Sequence, residues 1–155
     1  MAVLADTRTT SGKLADSLLR ATRELMAMAI RTVGDGPVPV TLVQHRVLLI
    51  LEESGPLSVS EVAAQLGVDQ SNASRHCSRL VGLGLLRRTP AARDRRSVEV
   101  RLTAAGRSQV LAVRDARRAW AEEVLSRLSP DEGREAVRAL ELFAAAAARS
   151  TSPAV

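Results

Sequence analysis

A mainly α-helical fold with one small β-hairpin is the class this sequence predicts, on three observations. Hydrophobic residues make up 46% of the 155 residues while aromatics make up 1%, Trp120 and Phe143 being the whole set. Aliphatic side chains and alanine must then fill the core, which suits helix-on-helix packing better than a β-sandwich. Apolar residues recur at helical spacing through most of the chain, interrupted at Gly34-Asp35-Gly36-Pro37, Gly55-Pro56 and Ser129-Pro130. Strict alternation is clearest in Ser97-Val98-Glu99-Val100-Arg101-Leu102. At this length residues 1–155 read as a single domain with helical extensions.

The elements follow in order. Residues 1–10 are small and polar and are expected to fray. From Ser11 to Val33, Leu14, Leu18, Leu25 and Ala29 mark one face of an amphipathic helix. Pro37 and Pro39 keep the linker after it extended. Thr41 is placed to N-cap a second helix through Glu53, with Val47, Leu48 and Leu51 inward. Two shorter helices, about 58–66 and 70–83, are joined by Gly67-Val68-Asp69. Leu85 to Thr89 pairs with the alternating run in a hairpin, whose polar tip is Pro90 to Arg96. Thr103 caps a long helix to about Leu128. Ser129-Pro130-Asp131-Glu132 starts a last helix to about Arg149, since serine suits the cap, proline the first turn and carboxylates the N-terminal dipole.

Charge is unevenly spread. From Ser71 to Arg101 eight arginines (75, 79, 87, 88, 93, 95, 96, 101) face only Asp94 and Glu99, whereas the rest of the chain is close to neutral. Such a surplus is the footprint of a phosphate-binding surface, or of a solvated basic face. Scarce aromatics argue against a platform that stacks single-stranded bases. One cysteine, Cys77, excludes an internal disulfide and fits a reducing compartment. The start of the chain lacks a signal-peptide pattern, and the longest apolar run, Leu142 to Ala148, is too short to span a bilayer. A cytoplasmic protein without a membrane partner is expected.

Catalysis finds little support. With two histidines, one cysteine and no tyrosine there are few ways to build a nucleophile and its base. His76 and Cys77 are consecutive on a helix, so their side chains diverge. No metal-spaced cluster or phosphate loop occurs, and neither a metal nor a cofactor is expected.

The stretch Ser60-Glu61-Val62-Ala63-Ala64-Gln65-Leu66-Gly67-Val68-Asp69-Gln70-Ser71-Asn72-Ala73-Ser74-Arg75 has the marks of a helix-turn-helix. Small Ala63 lets the helices cross closely, Gly67 permits the sharp turn, and Val68 is expected to plug the corner. Short polar side chains and arginine at the start of the second helix are what reach base edges in a major groove. An ordinary helical corner with a polar face would look similar. The hairpin adds weight: its tip, Ala92-Arg93-Asp94-Arg95-Arg96, puts three arginines within four residues, suited to a minor groove. Asp94 between them suits a brace that holds one guanidinium and shapes the wing.

In this combination the chain resembles the MarR family of transcriptional regulators. The residues that carry the resemblance are this helix-turn-helix, then Leu80, Gly84-Leu85-Leu86 and Arg88, then Asp94-Arg95-Arg96-Ser97 and Leu102-Thr103-Ala104-Ala105-Gly106. Val81 departs from the pattern, where an acidic residue commonly follows the leucine. The resemblance implies a winged helix-turn-helix lobe over residues 41–103, with N- and C-terminal dimerisation helices over 11–33 and 104–149. It implies a homodimer on a palindromic double-stranded DNA operator, acting as a repressor released by a small aromatic or phenolic effector. By position, Gln70, Ser71, Asn72, Ser74, Arg75 and Arg79 would lie on the recognition helix. Arg93, Arg95 and Arg96 would lie at the wing with Asp94 as brace. Arg20, Arg23, His45 and Arg46 are candidates for the effector's carboxylate, or surface salt-bridge residues. Two alternatives stay open: a redox-responsive regulator acting through Cys77, which is otherwise a small buried residue, and a non-specific DNA-binding protein.

Overall fold

The structure, a computed structural model, describes residues 2–90 and 98–150. Six helices and three short strands are described in the order α1 (Ala2–Gly34), α2 (Leu42–Ser54), β1 (Leu57–Ser58), α3 (Val59–Leu66), α4 (Gln70–Gly82), β2 (Leu86–Pro90), β3 (Val98–Leu102), α5 (Ala104–Leu125) and α6 (Pro130–Ser150). The mainly helical class with a β-hairpin holds. The chain forms two compact units, Met1–Arg117 and Arg118–Val155.

Local chemistry sets most of the boundaries. Thr41 N-caps α2 in a capping box: its hydroxyl accepts from Gln44 N–H at 3.2 Å, and Gln44 Oε1 accepts from Thr41 N–H at 2.9 Å. Ser58 and Glu61 do the same for α3, and Ser129 and Glu132 for α6. In each of the last two the serine hydroxyl and the serine backbone N–H pull the glutamate's pKa below its ordinary value. Gly67 ends α3 in the left-handed conformation, φ 68°, with its N–H bonded to Ala64 O and that of Val68 to Ala63 O.

Two expectations are corrected. Helix α1 begins at Ala2 rather than near Ser11, since residues 2–11 contain neither glycine nor proline to stop a helix running back from Gly12. The hairpin is part of a three-stranded antiparallel sheet, ordered β1-β3-β2, because Leu57 and Ser58 pair with Val100 and Glu99. The hairpin register sets Leu86 against Leu102, Arg87 against Arg101 and Arg88 against Val100.

The core lies in the first unit. Val47, Leu48 and Leu51 of α2, Val62 and Ala63 of α3, Ala73, Cys77 and Leu80 of α4, and Leu86, Val100 and Leu102 of the sheet are all buried. Val110 and Val113 of α5 and Val33 of α1 join them. Val81, where the family pattern favours an acid, packs against this core instead. Gln109 is buried, and its amide pairs with both backbone groups of Val38 at 2.9 Å. That bond pair anchors the linker after α1 to α5 and satisfies both ends of the buried amide.

The outer helices keep apolar faces. On α1, Leu14, Leu18, Leu25, Met26 and Ile30 are exposed. On α6, Val137, Leu140, Leu142 and Phe143 are exposed. No helix among the described residues is long and apolar enough to cross a membrane.

Candidate nucleic-acid interface

Helix α4 buries one stripe and offers the other. Ala73, Cys77 and Leu80 recur at helical spacing and are each 0% exposed, which fixes the helix's rotation about its axis. Gln70, Ser71, Arg75, Ser78 and Arg79 are thereby exposed, while Asn72 and Ser74 are half-buried beside them. All six residues expected on a recognition helix thus reach the surface of one element. Val68 does not plug the corner as expected; it is 37% exposed, because the glycine turn is closed by backbone hydrogen bonds and Ala63 already fills the crossing.

The start of α4 is organised by Asp69, which the sequence marks only as part of a turn. Its carboxylate accepts from Asn72 N–H at 2.9 Å and from the Ser71 hydroxyl at 2.6 Å, and also from the Asn72 amide. Asn72 Oδ1 in turn accepts from Arg75. The Ser71 hydroxyl and the Asn72 backbone N–H hold the Asp69 carboxyl down at about 2, so it is ionised at neutral pH. The chain Asp69, Asn72, Arg75 therefore fixes three polar groups on the first turn in one arrangement. The sequence places Asp69 in the turn before α4; neither its N-cap role nor its grip on Ser71 and Asn72 is read there.

The sheet stands beside this helix. Arg88 of β2 donates to the Ser78 hydroxyl of α4 at 2.9 Å. A cleft of about 740 Å³ runs between them, lined by Val59, Gln70, Ser71, Ser74, Arg88, Val98 and Val100. The wing residues Arg93, Asp94, Arg95 and Arg96 lie outside the described residues.

The effector candidates separate. His45 is buried at 2% exposed, whereas Arg46, its neighbour on α2, is exposed. Arg20 and Arg23 are exposed on α1, Arg20 donating to the Ser17 hydroxyl at 2.8 Å. His45 Nδ1 has no hydrogen-bond partner among the described residues. Burial, and then the nearby Arg117 guanidinium, push its pKa down to about 4, so the ring is neutral at pH 7. Arg117 donates to the hydroxyl of Thr32 at 3.3 Å, and Thr32 is itself buried. Arg117 is the basic residue that sequence reasoning misses, because nothing in the local pattern links position 117 to position 45.

Cys77 is buried at 0% exposed, and desolvation raises its pKa, opposed in part by Arg88. The thiolate is the reactive form, so this thiol is inert while the fold is intact. Iodoacetamide should label Cys77 only as fast as the protein unfolds, with the rate climbing in urea. Rapid labelling in native buffer would make Cys77 a candidate sensor again. Among the described residues no group of three or more His, Cys, Asp or Glu could hold a metal ion.

Comparison with known proteins agrees with this geometry. The sequence profile described as MarR family matches residues 38–97. The uncharacterized HTH-type transcriptional regulator YfiV of Bacillus subtilis is 29% identical over 107 residues, covering 69% of this chain and 67% of that protein. The crystal structure of RV1404 from Mycobacterium tuberculosis superposes with a TM-score of 0.79 at 35% identity, covering 85% of this chain and 90% of that one. A point mutant of MepR from S. aureus, bound to an oligodeoxyribonucleotide, shares the fold, with a TM-score of 0.68 at 20% identity over 86% of this chain and 96% of that one. With the helix-turn-helix, the sheet beside it and these relatives in hand, the chain belongs to the MarR family of transcriptional regulators.

Proposed function

We propose that this regulator binds a specific palindromic DNA operator as a homodimer and represses transcription until a small aromatic or phenolic acid releases it. As a family of transcription regulators, its relatives are not enzymes. The observation that carries the reading is the polar face of α4, where Asp69 holds Ser71 and Asn72 and Asn72 in turn holds Arg75. Preorganised short polar groups at a helix N-terminus are what base-edge recognition requires; a protein that merely coats DNA needs only charge. The MepR relative in complex with an oligodeoxyribonucleotide supports DNA as the partner.

Gln70, Ser71, Asn72, Ser74, Arg75 and Arg79 enter the major groove in this proposal. Arg93, Arg95 and Arg96, braced by Asp94, enter the minor groove, on the sequence pattern alone. Residues 41–103 form the reading lobe, and 11–33 and 104–149 supply the dimer contacts. The exposed leucines of α1 and the Leu140 and Phe143 face of α6 support that assignment, since apolar faces of this extent ask for cover. His45 with Arg117 is the pair best suited to meet an effector's carboxylate, the one offering an unused nitrogen and the other a fixed positive charge.

Selection of bound sequences from random DNA should yield an inverted repeat with half-sites about one helical turn, ~10 bp, apart. The selected site should outcompete bulk DNA by roughly 4 kcal/mol or more. Asn72→Ala and Ser74→Ala should each relax the preference at particular base pairs by ~1–3 kcal/mol. Equal binding to every duplex would defeat the proposal in favour of a non-specific binder.

A further inference from the structure

The face of the sheet turned away from α4 holds a second concentration of charge to which the proposed function assigns no role. Side chains alternate along a strand, so Arg88 points toward α4 while Arg87 points the other way. Arg87 and Arg101 are directly opposed in the β2–β3 register. Like charges directly opposite each other destabilise a sheet, and no carboxylate among the described residues pairs with either. Arg107 of α5 joins them, its guanidinium spending one weak bond, 3.4 Å, on Leu102 O. The three arginines line one pocket of about 670 Å³ between the end of α2, the sheet and the start of α5, and Glu52 is the single carboxylate in its wall. Glu99 shares the sheet face but sits opposite Thr89 and Ser58, outside the pocket lining.

We propose that this pocket binds a phosphate dianion, free or as the end group of a small phosphomonoester. Three guanidinium groups against one carboxylate leave two positive charges uncompensated, which matches a phosphomonoester at about −1.5 to −2 near neutral pH. Each guanidinium offers a fork of donors matched to phosphate oxygens. A DNA phosphodiester, with one charge, would leave the site half-neutralised. Bound there, the anion removes the repulsion between Arg87 and Arg101 and ties both strands of the hairpin to the start of α5.

The test is a thermal-shift titration with sodium phosphate against sodium chloride at matched ionic strength, at about pH 8 where phosphate is mostly dianionic. The wild-type protein should gain melting temperature in a saturable way with phosphate. Arg87→Gln and Arg101→Gln should each weaken the half-saturation concentration roughly tenfold or more, while leaving the phosphate-free melting temperature unchanged or higher. Glu52→Gln should tighten binding, since it removes the opposing charge. Phenyl phosphate in place of phosphate separates the two sources: tighter binding identifies a phosphomonoester, and equal binding identifies free phosphate. Absence of a saturable shift, or a shift identical in all variants, overturns the pocket. If Arg87→Gln and Arg101→Gln instead weaken operator binding in phosphate-free buffer and no phosphate shift is seen, the two arginines contact DNA and the proposal fails.

Discussion

Replacing Gly106 with alanine is expected to cost the protein about 3 kcal/mol or more of stability, enough to remove a large part of what a domain of this size holds. A Cβ at that position would lie 2.2 Å from Leu85 O, 2.9 Å from Leu102 Cδ2 and 3.1 Å from Leu85 C. The first and last are backbone atoms, and the backbone there cannot give. Leu85 O already accepts from Thr103 N–H at 3.0 Å and from the Thr103 hydroxyl at 3.1 Å. The same hydroxyl shares its one proton between Leu85 O and Gly84 O, the latter at 2.7 Å, and accepts from Gly106 N–H at 3.0 Å. Thr103 thus caps α5 and pins it to the turn before β2, at a separation only glycine permits. The ordinary gain from alanine in a helix, about 1 kcal/mol, is far too small to compensate. Gly133 of α6 supplies the contrast: nothing lies within 4 Å of its added Cβ, so Gly133→Ala should be neutral or stabilising by about 0.5–1 kcal/mol. Urea denaturation of both variants checks the pair. A Gly106→Ala midpoint equal to the wild type would show that α5 is not seated on Leu85.

That contact explains why part of the structure is legible in the sequence and part is not. Leu102-Thr103-Ala104-Ala105-Gly106 is readable as a family string, and Thr103 as a cap, but the need for glycine comes from Leu85, a residue of the preceding turn. Local signals carry well: Thr41, Gly67 and Ser129 act where their chemistry places them, and the burial of Val47, Leu48 and Leu51 follows from periodicity. The capping box of Ser58 and Glu61 is equally local and goes unread only because that stretch is taken for a helix already begun. Strand β1 is two residues long, too short for any alternation, and exists because β3 has a free edge to pair. In the candidate interface, the residue types and spacing on α4 announce an exposed polar face, while the Asp69 network that orders it depends on side-chain geometry. The arginines of the sheet are visible as charge; that Arg88 and Arg87 serve opposite faces requires the register.

Acidification should destabilise the protein through His45 well before its carboxylates are protonated. His45 is 2% exposed, has an Nδ1 without a partner among the described residues and sits near the half-buried Arg117 guanidinium, so protonation would bury a positive charge close to another. The folded pKa is about 4 against an ordinary value of 6.5. In that interval the unfolded chain binds a proton that the folded protein refuses, so stability is complete above pH 6.5 and declines as the pH falls toward 4. The full loss is on the order of 3 kcal/mol. Asp69, Glu61 and Glu132 act in a lower range: their depressed pKa values keep their contribution until the pH falls below the ordinary carboxylate values. His45→Gln, which keeps a neutral polar side chain, should flatten the decline between pH 7 and 5, as measured by urea midpoints on the two proteins. Arg117→Gln should end the decline at a higher pH and make it shallower, because the ring's proton is then opposed by burial alone. A wild-type curve that parallels His45→Gln throughout would mean that the ring is solvated in solution, and the case for His45 and Arg117 as an effector's anchor would fall with it. If the decline is seen and a carboxylate effector is then found to suppress it, the same pair explains both results: the ligand's negative charge offsets Arg117 and lets the imidazole accept its proton.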